Sequence, residues 1–83
     1  GPLPDPTQDV GAAAVTKPIN VDLSAYSGSV NVRIVVGDVT IHDGVVDADM
    51  NNSFSRSATA SGEQMVYIYI NNSLVDSHWE HFQ

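Results

Sequence analysis

The sequence predicts an all-β domain, a small antiparallel β-sandwich, and three observations predict it. Apolar and polar residues alternate with period two along Ile19-Asn20-Val21-Asp22-Leu23-Ser24-Ala25 and again through Val30, Val32, Ile34 and Val36. Turn residues recur at short intervals: Ser27-Gly28, Gly37-Asp38, Asp43-Gly44, Asn51-Asn52 and Ser61-Gly62. Finally, Met65-Val66-Tyr67-Ile68-Tyr69-Ile70 is entirely apolar, β-branched or aromatic, and it runs into Asn71-Asn72. Two Asn residues accept the positive φ angles that a two-residue hairpin loop requires.

The elements follow in chain order. Residues 1–18 hold all four prolines, Pro2, Pro4, Pro6 and Pro18, around Gly11-Ala12-Ala13-Ala14. They offer little apolar surface to offset the entropy of ordering, so they read as a linker or mobile arm. A short helix over Asp9 to Val15 is the alternative. Gly1-Pro2-Leu3 reads as the remnant of a cleaved tag, and the chain as a piece of a longer protein. The folded module is expected over residues 19–83, with strands at Ile19–Ala25 and Val30–Val36. Val39–His42 and Val45–Met50 are expected to form a hairpin around Asp43-Gly44. Phe54–Thr59 is a polar strand suited to a sheet edge, and Met65–Ile70 pairs with Ser73–Trp79. About seven strands at this spacing suit an immunoglobulin-like sandwich or a compact barrel. The chain is shorter than the ~100 residues such a sandwich usually has. A core this small gains from self-association or from packing on a parent protein.

With Asn71-Asn72 as the loop, a straight register sets Tyr69 opposite Leu74, Ile68 opposite Val75 and Gln64 opposite Trp79. Alternation then puts Val66, Ile68, Ile70, Val75 and Trp79 on the core face. Met65, Tyr67, Tyr69, Leu74, Asp76 and His78 share the other face. Tyr with apolar neighbours is a composition of recognition surfaces, so Met65, Tyr67, Tyr69, Leu74 and Trp79 are the candidate binding residues.

The remaining signals are weaker. Asp47, Asp49 and Asn51 have the alternate spacing of a calcium loop, but the twelfth position is Ala58 where a bidentate Glu belongs. His78 and His81 fall on opposite faces of a strand and cannot share an ion. No metal or cofactor is expected. No nucleophile elbow or Gly-rich phosphate loop occurs, and an enzyme is not expected. Asn51-Asn52-Ser53 and Asn71-Asn72-Ser73 match the glycosylation acceptor pattern, which has meaning only in a eukaryotic secretory protein.

Ten acids stand against three bases, Lys17, Arg33 and Arg56, for a net charge of −7. Nucleic acid and anionic membranes are disfavoured partners, because both need clustered Lys and Arg. The chain has no Cys, which removes disulfides, thiolate zinc sites and thiol catalysis. The expected function is a structural or protein–protein contact module of a larger surface, secreted or virion protein. Its partner would be another protein or a second copy. The second expectation is carbohydrate binding, with Trp79, Tyr67 or Tyr69 stacking on sugar rings.

Overall fold

A computed structural model describes residues 13–83, and among these residues there are six strands and no helix. β1 is Val15–Asp22, β2 Ser29–Val36, β3 Val39–Asp47, β4 Ser53–Ala60, β5 Gly62–Ile70 and β6 Ser73–Phe82. Every pairing is antiparallel. One sheet has four strands in the order β3-β2-β5-β6, and the other has two, β1-β4. Ile19, Val21, Leu23, Phe54 and Ala58 of the small-sheet side and Val32, Ile34, Val66, Ile68 and Ile70 of the large sheet belong to one buried cluster. The all-β, two-sheet expectation therefore holds, with six strands rather than seven.

The missing strand is a merged one. Asp43-Gly44 does not turn the chain; it lies inside β3, with Asp43 opposite Arg33 and Gly44 opposite Val32. The turn is Gly37-Asp38, where Gly37 has φ 62°. The positive φ favours glycine here, and a Cβ on Gly37 would also come within 2.6 Å of Gln64 Oε1 and displace that side-chain end. β2 offers an unbroken row of backbone partners to β3 from His42 to Asp47, the one register shift falling outside it at Ile41, and Asn31 Nδ2 donates to Asp43 Oδ1 at 3.1 Å. Continuous pairing outweighs the local turn propensity of Asp-Gly. At the N-terminal end, β1 begins at Val15, ahead of Ile19, because Val15, Thr16, Lys17 and Pro18 pair with Ala60, Thr59, Ala58 and Ser57. Of the rest of the expected arm, Ala13 and Ala14 have no regular structure, and residues 1–12 lie outside the described residues.

Asn71 and Asn72 do form the hairpin loop, with φ 51° and 68°. The loop is also pinned to β2: Asn71 N–H donates to the Asn31 carbonyl at 2.9 Å, and Asn31 N–H donates to Asn71 Oδ1 at 3.0 Å. The register beyond it departs from the straight one. Tyr69 pairs with Leu74, but Ile68 pairs with Asp76 instead of Val75. Val75 is the extra residue of a β-bulge, and a one-residue slip sends every later side chain to the opposite face. Val75 and Trp79 are therefore exposed, at 46% and 64%, and Phe82 is the buried residue of β6, at 0%. Asp76, His78 and Glu80 take the inward side, and Trp79 comes to lie opposite Met65.

The two sheets can tolerate this exchange because the small sheet is two strands narrower than the large one. β6 lies at an edge, and its inner side borders an open seam where polar groups remain solvated. Truncating buried Phe82 to Ala should cost about 3–5 kcal/mol, enough to unfold much of a marginal domain. Trp79→Ala should change stability by no more than about 0.5 kcal/mol, as exposed positions do. Urea unfolding of the two variants checks this ordering, and equal losses would contradict the bulged register.

Candidate functional site

Two regions carry chemistry: the outer face of the four-stranded sheet and the two seams where the sheets meet. The outer face comes directly from strand alternation. Val66, Ile68 and Ile70 of β5 are buried, so Met65, Tyr67 and Tyr69 face outward. Register then places Arg33 and Leu74 beside Tyr69, Val35 and Ser77 beside Tyr67, and Trp79 beside Met65. All five candidate residues, Met65, Tyr67, Tyr69, Leu74 and Trp79, thus share one face. The straight register puts Trp79 in the core; the bulge at Val75 moves it outward, opposite Met65 and diagonal to Tyr67. Leu74 is 53% exposed, and Val45 of β3 extends the apolar surface. Arg33 holds its guanidinium 3.8 Å from the centre of the Tyr69 ring, a cation–π contact.

Arg33 and Val35 also belong to this face, beyond the five candidates, and a signal for them is present in the sequence. Both alternate with the buried positions Val32, Ile34 and Val36, so their outward direction is readable as soon as β2 is assigned to the core. Their adjacency to Tyr69 and Tyr67 is not readable, because β2 and β5 are far apart in the chain.

The seams show a shared construction. The cation of the small sheet lies over an aromatic ring and opposite a histidine-bearing edge strand. At the β1/β6 seam, Lys17 Nζ contacts Glu80 Oε1 at 2.7 Å, donates to the His81 carbonyl at 3.3 Å and lies 5.4 Å from the Phe82 ring centre. His78 sits between Asp76 Oδ2, 2.7 Å from Nδ1, and Glu80 Oε2, 2.8 Å from Nε2. At the β3/β4 seam, Arg56 lies 4.3 Å from the Phe54 ring, and Phe54 in turn packs against His42 at 4.9 Å. His42 Nε2 is buried without a hydrogen-bond partner among the described residues. His81 lies on the outer face and bonds Glu63 through Nδ1. The two C-terminal histidines are thus on opposite faces, each with its own carboxylate partners.

These surroundings move the two seam histidines in opposite directions. Burial works against the His78 cation, but hydrogen bonds and attraction from Asp76 and Glu80 outweigh it and raise its pKa. Glu80 is held ionised, its pKa lowered chiefly by Lys17. His42 is pushed down, first by burial and then by the Arg56 charge, against a smaller pull from Asp43.

The calcium-like spacing is used internally. Asp47 Oδ1 accepts the Asp49 N–H at 3.0 Å, Asn51 Nδ2 donates to the Asp47 carbonyl at 2.9 Å, and Ala48 between them is buried. Asp47 and Asn51 thus serve to close their own turn. Among the described residues no three His, Cys, Asp or Glu side chains cluster as metal ligands.

The signs of the histidine effects can be separated by mutation. A raised folded pKa makes His78 stabilising below its unfolded pKa of about 6.5, and the benefit is lost as pH rises through the folded value. His42, with a lowered pKa, contributes stability above about pH 6.5 that is lost as pH falls. His78→Gln should therefore lower Tm more at pH 6 than at pH 8. His42→Phe should relieve acid destabilisation and raise Tm more at pH 6 than at pH 8. Thermal melts of both variants at the two pH values test this, and a pH-independent difference for His78→Gln would show its ion pairs to be without weight.

Comparison of the chain with protein-family models, with curated proteins and with solved structures finds no match to any of them.

Proposed function

We propose that the chain is a non-enzymatic protein–protein contact module, acting through the outer face of the four-stranded sheet. The observation that carries this reading is the alignment of exposed Trp79 and Leu74 with Met65, Tyr67 and Tyr69 on one sheet face. Large aromatics, Met and Arg enrich interface centres, and all of them are present. On the β2, β5 and β6 rows from Leu74 to Met65, Arg33 is the one charged side chain among the described residues. A second copy is the preferred cover. The acids of this face, Asp43 and Asp47 on β3 and Glu63 at the far end of β5, lie around the Leu74-to-Met65 rows and not within them, so two copies can meet on those rows with their carboxylates at the rim.

The expected strength follows from geometry. Four strands about 4.8 Å apart and eight residues long present about 19 Å by 27 Å, or about 500 Å² in projection. A standard interface buries about 800 Å² on each partner, so this face supports association at the weak, concentration-dependent end. Immunoglobulin-like topology, and a place in a secreted, cell-surface or virion protein, complete the proposal. The support for that setting is the cysteine-free, acidic composition and the small core, which suit one module of a larger assembly.

A second reading, carbohydrate binding, is favoured by one specific observation: Trp79 is 64% exposed and lies opposite Met65 on the face that carries Tyr67, diagonal to it, where a sugar ring can stack.

Trp79 is the only Trp in the chain, so its emission reports directly on this face. Sedimentation of the native chain should show mass rising with concentration, accompanied by a blue shift of Trp emission. Leu74→Lys with Trp79→Lys should remain monomeric with an unchanged melt. A native chain that stays monomeric at millimolar concentration overturns self-association. An emission shift on titration with soluble polysaccharide, absent in the monomer alone, transfers the face to the second reading.

A further inference from the structure

Among the described residues β1 pairs with β4 alone, and its other edge has a defined hydrogen-bonding phase. Leu23 N–H donates to the Asn52 carbonyl at 2.7 Å, one step beyond the last paired residues, Asp22 and Ser53. Backbone groups alternate direction along a strand, so odd-numbered residues of β1 turn toward β4 and even-numbered ones toward the edge. Pro18 is therefore an edge-facing residue, and it has no N–H to offer. Past it, the edge presents the N–H and carbonyl groups of Asn20 and Asp22.

Pro18 also marks where the seam changes character. On its N-terminal side, the Lys17–Glu80 ion pair and Phe82 close the gap between the sheets. On its C-terminal side, the gap opens into a groove of about 350 Å³. Val21, Ile68, Ile70 and Val75 supply its apolar lining, and Asn20, Asp22 and Asp76 its polar margin. Val75, the bulged residue, is 46% exposed there.

We propose that this groove binds an extended strand from a partner protein, carrying an apolar side chain flanked by Lys or Arg. The partner strand adds to the two-stranded sheet at Asn20 and Asp22, whose N–H groups donate to its carbonyls and whose carbonyls accept its N–H groups. Its apolar side chain covers Val75 and the two Ile residues. Its cations meet Asp22 and Asp76, the carboxylates that line the groove, where no Lys or Arg is present. Asp22 Oδ1 is already held in place by the Ser24 N–H at 2.9 Å, so the charge is fixed at the margin.

Charge identifies the occupant as a different protein and not a second copy. The chain has three Lys and Arg residues in all, and each is engaged over an aromatic ring: Lys17 on Phe82, Arg33 on Tyr69 and Arg56 on Phe54. A second copy has no spare cation to bring. Pro18 limits the added strand to a few residues, so the isolated contact is short and weak. This surface lies on the other side of the large sheet from the outer aromatic face.

The test is a titration of the full chain, followed by amide chemical shifts, with the capped peptide Lys-Val-Lys-Val-Lys and with Glu-Val-Glu-Val-Glu. The Lys peptide should move the amides of Asn20, Asp22 and Val75, with affinity falling as salt is added, and the Glu peptide should not. Asn20→Pro removes an edge donor that the β4 ladder does not use, and should weaken binding about tenfold, the scale of one lost hydrogen bond. Val75→Lys, at an exposed position, should abolish the response; it serves as the decisive variant if Asn20→Pro lowers the melting temperature. Leu74→Lys with Trp79→Lys should leave the peptide response intact, whatever becomes of self-association. Equal responses to both peptides, shifts confined to the outer face, or unchanged binding by Val75→Lys would overturn the proposal.

Discussion

The unequal width of the two sheets is the constraint on which the rest of this structure depends. Four strands need an apolar cover along their inner side, and β1 and β4 supply only two. The middle of the large sheet, β2 and β5, is covered and accordingly reads as nearly pure Val and Ile on its inner positions. The edge strands β3 and β6 lie partly beyond the cover. Their inner sides are therefore the places where His42, His78, Asp76 and Glu80 can point inward without being sealed from water. The polar seams are a direct consequence of a sheet with too few strands.

Each seam is stabilised by a cation from the small sheet, and the comparison between them is instructive. Lys17 reaches two acceptors on β6 and a ring face, and the carboxylates there draw His78 toward its charged form. Arg56 has a ring face and the Ser55 carbonyl but, among the described residues, no carboxylate partner, and it repels the His42 cation. The same geometry with and without acids gives one histidine that favours the proton and one that rejects it. Ion pairs this exposed contribute modestly to stability, about 1 kcal/mol or less each. Their larger effect is to close one end of the β1/β6 seam while the other end stays open.

The bulge at Val75 links the fold to both surfaces considered for binding. Without it, Trp79 and Val75 would face the seam, and the outer face would carry Asp76 and His78 among its Tyr residues. With it, Trp79 joins Met65 and Tyr67, and the carboxylates move to the seam beside Lys17. One inserted residue thereby sorts β6 into an aromatic outer side and an acidic inner side. β-Bulges often re-aim side chains at functional surfaces, and this one re-aims an entire strand end.

Local pattern alone determined the all-β class, the buried positions of β1, β2 and β5, and the Asn71-Asn72 loop, because alternation and turn chemistry are properties of neighbouring residues. The candidate face was legible as far as Met65, Tyr67, Tyr69 and Leu74, which precede the bulge in the hairpin or lie on the unshifted strand. Only tertiary structure decided the rest. Whether Asp43-Gly44 turns or stays extended depends on β2 lying alongside, a partner that no local pattern announces. Whether Trp79 or Phe82 enters the core depends on a one-residue slip at Val75, and in the slipped register β6 meets Lys17, 64 residues before His81 in sequence. Long-range pairing chooses between registers that local propensity leaves nearly equal, and that choice put Trp79 on the surface.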